Sequence, residues 1–200
     1  MQNVTLITEA QLKKIASDSR GLRTAATILK EETASAATKS SFDAFLSHSF
    51  ADAEIVLGVK RLFEKMGMSA YVDWIEDQHL DRSKVTADTA DLLRTRMKQS
   101  KSLVYVHSNN SPASKWMPWE LGYFDASKGA VAVLPVAKSD SETFSGQEFL
   151  GLYPYIDSLS PSMLFINKGK APRSRLGKVD ATTTIRSAKS WLQDVAGVRS

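Results

Sequence analysis

The sequence contains no cysteine. This absence excludes disulfide bonds, thiol nucleophiles and thiolate metal ligands, and it fits the reducing cytosol, so we expect a cytoplasmic protein. No apolar run approaches the roughly 20 residues that a membrane-spanning helix needs. The first residues also lack the basic-then-apolar order of a signal peptide, so we expect neither secretion nor membrane association.

Common catalytic and cofactor-binding motifs are missing as well. The sequence has no Walker loop, no Gly-x-Gly-x-x-Gly and no Gly-x-Ser-x-Gly, which excludes the usual phosphate-binding loops and the hydrolase nucleophile elbow. The histidines His48, His79 and His107 show no spacing typical of a metal site, so we expect no metal ion.

Positive charge is scarce in the central part of the chain. The formal net charge is +4, but residues 1–41 hold 6 basic and 4 acidic side chains, and residues 168–200 hold 8 and 2. Residues 42–167 therefore hold 12 basic and 16 acidic side chains. A slightly acidic region without a Lys/Arg stripe is a poor phosphate-binding surface, so nucleic acid is not an expected partner.

The first part of the chain has the pattern of helices followed by a linker. Thr8-Glu9-Ala10-Gln11 is a capping-box pattern, and apolar residues at helical spacing follow it, with Gly21 as an interruption. The small, polar run Thr33–Ser41 has the composition of a linker. We therefore predict an N-terminal helical segment and linker over residues 1–41.

The rest of the chain alternates between short apolar runs and helical patterns. Continuous apolar runs of five to eight residues are typical of parallel strands that are covered on both faces. We therefore predict an α/β domain over residues 42–167, a five-stranded parallel sheet with helices on both faces, followed by a basic connector and a C-terminal helix over residues 168–200. The predicted strands are 42–48, 69–74, 102–108, 130–137 and 163–167.

Ligands of such sheets bind outside the carboxyl ends of the strands, so the residues that follow each strand are candidates for a site. The first three predicted strands end in, or are followed by, Ser47, His48 and Ser49, Asp73 and Trp74, and Ser108–Ser114.

Glu120 follows the third predicted strand and has two interpretations. Pro118 favours the first turn of a helix, where the helix dipole stabilises a carboxylate such as Glu120 without any function. Alternatively, Glu120 faces the ligand cleft, and Trp116, four residues earlier on the same helix face, stacks on a flat ring. Local residues leave both interpretations open, and Trp119 fits the core better than the cleft.

Three segments together resemble the TIR (Toll/interleukin-1 receptor) domain of bacterial proteins over about residues 42–167, namely "FDAFLSHSFAD", "MGMSAYVDW" and "KQSKSLVYVHSNNSPASKWMPWELG". The last contains the Trp-x-x-x-Glu pattern of that family, from Trp116 to Glu120. The resemblance implies a flavodoxin-like fold and cleavage of NAD⁺ at the nicotinamide–ribose bond, giving ADP-ribose or a cyclic product. It implies that Glu120 is catalytic and that NAD⁺ is a substrate rather than a cofactor. The residues it implies in substrate binding are His48, Ser49, Trp74 and Trp116.

The resemblance also implies partners. Stand-alone bacterial TIR chains resemble the TIR subunits of Thoeris-type anti-phage systems, which self-associate and signal to a separate effector. The family's BB loop corresponds to Trp74–Val85, and it departs from the common form because no Gly or Pro lies between Gln78 and Lys84. We further hypothesise that the N-terminal helix mediates assembly or regulates the enzyme.

Three other classes of protein are alternatives. A non-catalytic TIR module would signal by self-association alone. A nucleoside 2-deoxyribosyltransferase-like enzyme shares the architecture and the catalytic glutamate, but the Trp-x-x-x-Glu pattern favours a TIR domain. A response regulator is disfavoured, because Asp43 begins its strand and no acidic pair accompanies it.

Overall fold

The computed structural model describes residues 6–74, 87–139, 148–160, 163–167, 186–187 and 189–191. The helices are α1 (Glu9–Arg20), α2 (Ala25–Ser35), α3 (Ala53–Lys65), α4 (Ala87–Gln99) and α5 (Trp116–Lys128). The strands are β1 (Ile7–Thr8), β2 (Phe42–Ser47), β3 (Ala70–Val72), β4 (Ser100–His107), β5 (Val131–Ala137), β6 (Tyr155–Ser160), β7 (Met163–Asn167) and β8 (Arg186–Ser187).

The centre of the sheet consists of five parallel strands in the order β3-β2-β4-β5-β6, which confirms the predicted parallel α/β architecture. Strands β7 and β8 extend it in antiparallel pairing, and β1 pairs in parallel with the end of β5.

The identity of the fifth parallel strand was predicted wrongly. Met163–Asn167 is a strand, but it runs antiparallel to Tyr155–Ser160, which is the fifth parallel strand. Only two residues separate these strands in the sequence, whereas a parallel connection needs a crossover of roughly a dozen residues or more. The run "YIDSLS" was missed because Asp157 and Ser158 interrupt its apolar pattern.

Helices cover both faces of the sheet, as predicted. On one face, α1, α2 and α3 pack on the sheet through residues such as Leu12, Leu29 and Val56. On the other face, α4 and α5 contribute Leu93 and Phe124 to a second cluster. Alternate side chains of the buried strands enter the two clusters because successive residues of a strand point to opposite faces.

The N-terminal helices belong to the same hydrophobic core as the sheet. The capping box at Thr8 is present, and α1 ends before Gly21, as the sequence predicted. Helix α1 lies against α3 so closely that a Cβ atom at Gly58 would be 2.2 Å from the carbonyl oxygen of Leu12. The expected linker from Thr33 is wrong over its first residues, because α2 continues to Ser35 and is followed by a 3-10 turn, Ala36–Thr38.

Some predicted features fall outside the described residues. These are His79, nearly all of the BB loop and most of the basic connector, whereas Trp191 of the predicted C-terminal helix is buried in the core. Among the described helices, none combines the length and the apolar composition that crossing a membrane requires.

Candidate active site

Helix α5 carries Glu120 over the carboxyl end of the sheet. The helix begins at Trp116, two residues before the predicted start at Pro118, so Glu120 lies in its second turn. The interpretation of Glu120 as a first-turn residue stabilised by the helix dipole is therefore wrong. Glu120 is only 5% exposed, and a carboxylate at such a position requires polar partners.

One partner of Glu120 is a hydroxyl at the end of β2. Ser47 Oγ donates a hydrogen bond of 2.5 Å to Glu120 Oε2. Ser47 is the last residue of β2 and is fully buried. Ser47 lies two residues after Phe45, so the two side chains point to the same face of the sheet. Phe45 belongs to the cluster under α4 and α5, and the side chain of Ser47 therefore points to the α5 face.

Two tyrosines from neighbouring strands lie on the same face. Tyr105 of β4 is in register with Ser47, and Tyr71 of β3 is in register with Phe45. Burial raises the pKa of Tyr105 to about 12, and the negative charge of Glu120 adds to this increase. Burial raises the pKa of Tyr71 as well. Both phenols therefore keep their protons at neutral pH and can donate hydrogen bonds.

Several charged side chains act on Tyr71. Burial raises the pKa of Tyr71, the charges of Asp73 and Glu120 raise it further, and Arg96 lowers it. The Arg96 guanidinium lies 5.4 Å from the centre of the Tyr71 ring. A buried cation and two carboxylates therefore act electrostatically on one phenol on the α5 face of the sheet.

Three aromatic rings form a stack at the ends of β2 and β3, which we call the ring stack (His48, Trp74 and Phe50). The ring of His48 lies 5.5 Å from that of Trp74, and the ring of Phe50 lies 4.7 Å from it, both nearly parallel to it. Trp74 is 2% exposed and His48 is buried, whereas Phe50 is 40% exposed. The sequence indicated His48 and Trp74, but Phe50 was missed because its 3-10 turn has no apolar periodicity.

The loops that follow β2 and β4 are joined by a buried carboxylate. Asp52 accepts hydrogen bonds from Ser108 Oγ at 2.5 Å and from Asn110 Nδ2 at 2.6 Å. Ser49, a predicted site residue, is buried and caps the turn that leads to Asp52, because its Oγ accepts the backbone N–H of Ala51. These contacts fix the loop after β2, which carries His48, relative to the loop after β4.

The two tryptophans of α5 have different surroundings. Trp116 is 9% exposed and belongs to the core cluster under α5, so little of its ring is available to a ligand. Trp119, predicted to fit the core, is only partly buried at its margin. Its ring packs edge-on against Trp116, is stacked on Tyr123, and lies under the guanidinium of Arg94. Both side chains therefore support the helix that holds Glu120.

The structure thus brings Glu120, Ser47, Tyr71 and Tyr105 to one face of the sheet, with the ring stack at the adjacent strand ends. His107 is half-buried at the end of β4, and burial lowers its pKa, so it is neutral at pH 7. Within the described part of the chain, no group of three or more His, Cys, Asp or Glu side chains could hold a metal ion.

Two curated proteins are similar to this chain. The probable 3' cyclic ADP-D-ribose synthase ThsB' of Bacillus cereus (strain MSX-D12) is 59% identical over 116 residues, which are 58% of this chain and 60% of that protein. The putative cyclic ADP-D-ribose synthase TIR2 of Cytobacillus dafuensis is 37% identical over 86 residues, 42% of this chain and 23% of that protein. No protein-family model matches the chain.

These similarities confirm the resemblance to bacterial TIR proteins that the sequence motifs indicated. The matches span less than two thirds of the length of either relative.

Proposed function

We propose that this chain is a bacterial TIR-domain enzyme that cleaves NAD⁺ between nicotinamide and ribose and forms a cyclic ADP-ribose in Thoeris-type anti-phage defence. One contact supports this above all, the hydrogen bond from Ser47 Oγ to the buried carboxylate of Glu120 at the carboxyl end of a parallel sheet. Parallel sheets bind ligands at the carboxyl ends of their strands. Both relatives are named as cyclic ADP-D-ribose synthases, which supports the same activity.

Cleavage of this bond needs little acid–base chemistry from the protein. The nicotinamide nitrogen carries the positive charge in NAD⁺, so nicotinamide leaves as a neutral molecule and takes the bonding electron pair with it. The ribose carbon then develops oxocarbenium character, which a nearby carboxylate stabilises. Glu120 supplies this negative charge, and the Ser47 hydroxyl fixes its orientation.

The nucleophile decides the product. Water gives ADP-ribose, whereas a ribose hydroxyl or an adenine nitrogen of the same molecule gives a cyclic product. A buried carboxylate beside two buried tyrosines, Tyr71 and Tyr105, provides surroundings that limit the access of water. Cyclisation therefore suits this site, and hydrolysis is the competing outcome.

The other predicted residues contribute in different ways. In this proposal, His48 and Phe50 border the nucleotide, Trp74 supports their rings, and Ser49 shapes their loop. Trp116 supports α5 and presents only the exposed part of its ring to the substrate. NAD⁺ is the substrate, and no additional cofactor is required.

The test compares the purified protein with Glu120→Gln, which keeps the size of the side chain and removes its charge. We expect nicotinamide release from NAD⁺ to fall at least about 100-fold, in line with the loss of a preorganised electrostatic group. Glu31→Gln is the matched control, because Glu31 lies on α2 and is exposed in an ion pair with Arg23. Liquid chromatography with mass spectrometry separates cyclic product from ADP-ribose.

Equal nicotinamide release by wild type and Glu120→Gln would contradict a catalytic role for Glu120. A wild type that turns over no NAD⁺ at any protein concentration would favour the non-catalytic interaction module. Self-association and a separate effector that senses the product are further parts of the proposal. Light scattering with and without NAD⁺ measures the first, and binding of the purified product to a candidate effector tests the second.

A further inference from the structure

A hydroxyl of helix α2 lies beside the outer edge of the sheet. Among the described strands, β3 lies at one edge of the sheet, and its last residue is Val72. Thr33 Oγ1 lies 2.9 Å from the carbonyl oxygen of Val72, and the backbone N–H of Trp74 donates to Thr33 Oγ1 at 3.3 Å. The same hydroxyl is 2.8 Å from the carbonyl oxygen of Leu29, so its one proton is shared between two acceptors.

Thr33 takes the place of a neighbouring strand at this position. The C=O of one residue and the N–H of the second residue after it point to the same side of a strand, where a further strand would bind both. Unpaired groups at a sheet edge are costly when buried and invite pairing with another chain when exposed. In this fold, one side chain from the N-terminal segment satisfies both groups.

Apolar contact alone does not hold this junction. A cavity of about 270 Å³ lies between α2, α3 and the sheet edge, and its wall includes Thr33, Val72 and Lys60. The cavity leaves part of this junction without direct contact between α2 and β3, and the hydrogen bonds of Thr33 join the two elements beside it.

The junction leads directly to the ring stack. Trp74 is the residue whose N–H Thr33 binds, and its ring lies against both His48 and Phe50. At 2% exposure, Trp74 has almost no surface for a ligand, so it acts through the two rings that it supports. A shift of the Trp74 backbone moves both rings, which the proposed function places beside the nucleotide.

We propose that Thr33 is a positioning residue that fixes Trp74, and through it the ring stack, so that helix α2 of the N-terminal segment is part of the nucleotide-binding apparatus. This inference rests on the proposed function of the Glu120 site. It gives the N-terminal helices a role in substrate binding that is exerted through Trp74 and the two rings stacked on it.

The first test needs no substrate. Thr33→Val keeps the shape of the side chain and removes the hydroxyl, whereas Thr33→Ser retains the hydroxyl. We expect the Trp74 amide to exchange with deuterium at least about 10-fold faster in Thr33→Val, and at nearly the wild-type rate in Thr33→Ser, as read by NMR. Thr38→Val is the matched control, because the Thr38 hydroxyl is exposed and donates within its own turn, to the carbonyl of Ser35.

The second test is kinetic. Loss of one hydrogen bond corresponds to roughly a 5- to 10-fold effect, so we expect Thr33→Val to raise KM for NAD⁺ by about that factor while kcat changes less than about 2-fold. Thr33→Ser should restore the wild-type KM. A general loss of folded protein would instead lower the apparent kcat at constant KM, and Thr33→Ser need not reverse it.

Unchanged Trp74 exchange in Thr33→Val would overturn the inference, and so would a KM equal to that of wild type. An equal rise of KM in Thr38→Val would overturn it as well. If wild type released no nicotinamide, the proposed function would fail, and the exchange comparison would still decide whether Thr33 fixes Trp74.

Discussion

Two buried carboxylates on the α5 side of the sheet differ in their surroundings. Glu120 is bonded to the hydroxyl of Ser47. Asp157 lies on β6, and its side chain points to the same face of the sheet as that of Tyr155, two residues earlier. Burial raises the pKa of Asp157 to about 7. Asp157 is easily neutralised near physiological pH, whereas Glu120 is the carboxylate that the proposed function places near the substrate.

Asp157 should make the stability of the fold depend on pH. Its pKa is about 7 in the folded protein, against about 3.9 for an unperturbed aspartate. Between these values the folded chain holds a proton that the unfolded chain has released, so the free energy of unfolding falls as pH rises from about 4 to 7. Above pH 7 Asp157 is ionised in the folded protein, so its buried charge lowers the free energy of unfolding by the full amount.

We therefore expect Asp157→Asn to raise the free energy of unfolding at pH 8, by at most about 4 kcal/mol for a shift of roughly three pKa units, and to change it little at pH 4. Urea unfolding at both pH values measures the difference. Asp91→Asn, at an exposed aspartate of α4, is the control and should show no such pH dependence. The same effect of Asp157→Asn at both pH values would contradict the assignment.

At the scale of elements, the loops after β2 and β4 depend on one another. Asp52 at the start of α3 accepts from Ser108 and Asn110, and Ser108 in turn accepts the N–H of Asn110. The loop between β2 and α3 also carries His48 and Ser49, so the geometry of the proposed site depends on this clamp.

An exchange of the two clamp residues tests this dependence. Asp52→Asn alone places an amide group near the amide of Asn110, and we expect kcat/KM for NAD⁺ to fall about 10-fold, as for a lost charge-assisted hydrogen bond. The double variant Asp52→Asn with Asn110→Asp restores a donor opposite an acceptor, while the oxygen of the introduced amide can still accept from Ser108. Kinetics of wild type, both single variants and the double variant form a complete cycle. A double variant no more active than the single variants would argue against the clamp.

At the scale of the whole molecule, the N-terminal helices and the sheet form one core. Leu12, Ile28 and Leu29 pack in the same cluster as Leu46 and Val104. Deletion of residues 1–40 would therefore expose the main core, and loss of activity in such a variant would not reveal a specific role of the segment. Point substitutions at the contact between α1 and α3 are more informative.

Gly58 offers such a substitution. In Gly58→Ala, the new Cβ would meet the backbone of Leu12, so we expect the free energy of unfolding to fall by at least about 2 kcal/mol through overpacking. Gly122→Ala is the matched control on α5, because its Cβ would meet nothing within 4 Å. That control should be neutral or stabilising by about 0.5–1 kcal/mol, since alanine favours a helix over glycine.

Circular dichroism and Trp fluorescence, followed together during urea unfolding, measure both effects. Coincident transitions would show that α1 and the sheet unfold as one unit. A Gly58→Ala variant as stable as wild type would contradict the close contact between α1 and α3.

The sequence by itself determined the features that depend on neighbours along the chain. The capping box at Thr8, the helix break at Gly21 and the strand–helix alternation all involve residues within about four positions of each other. The same local spacing predicted that Trp116 and Glu120 share one face of a helix, and α5 contains both.

Tertiary structure decided the features that depend on strand register and on contacts between distant segments. Ser47 and Glu120 are 73 residues apart, and Thr33 and Trp74 are 41 apart, so no local pattern could pair them. The direction of β7 was likewise decided by its hairpin with β6. The physical reason is that periodicity reports which face of an element is buried, whereas the partner of a polar group is set only when separate elements pack together.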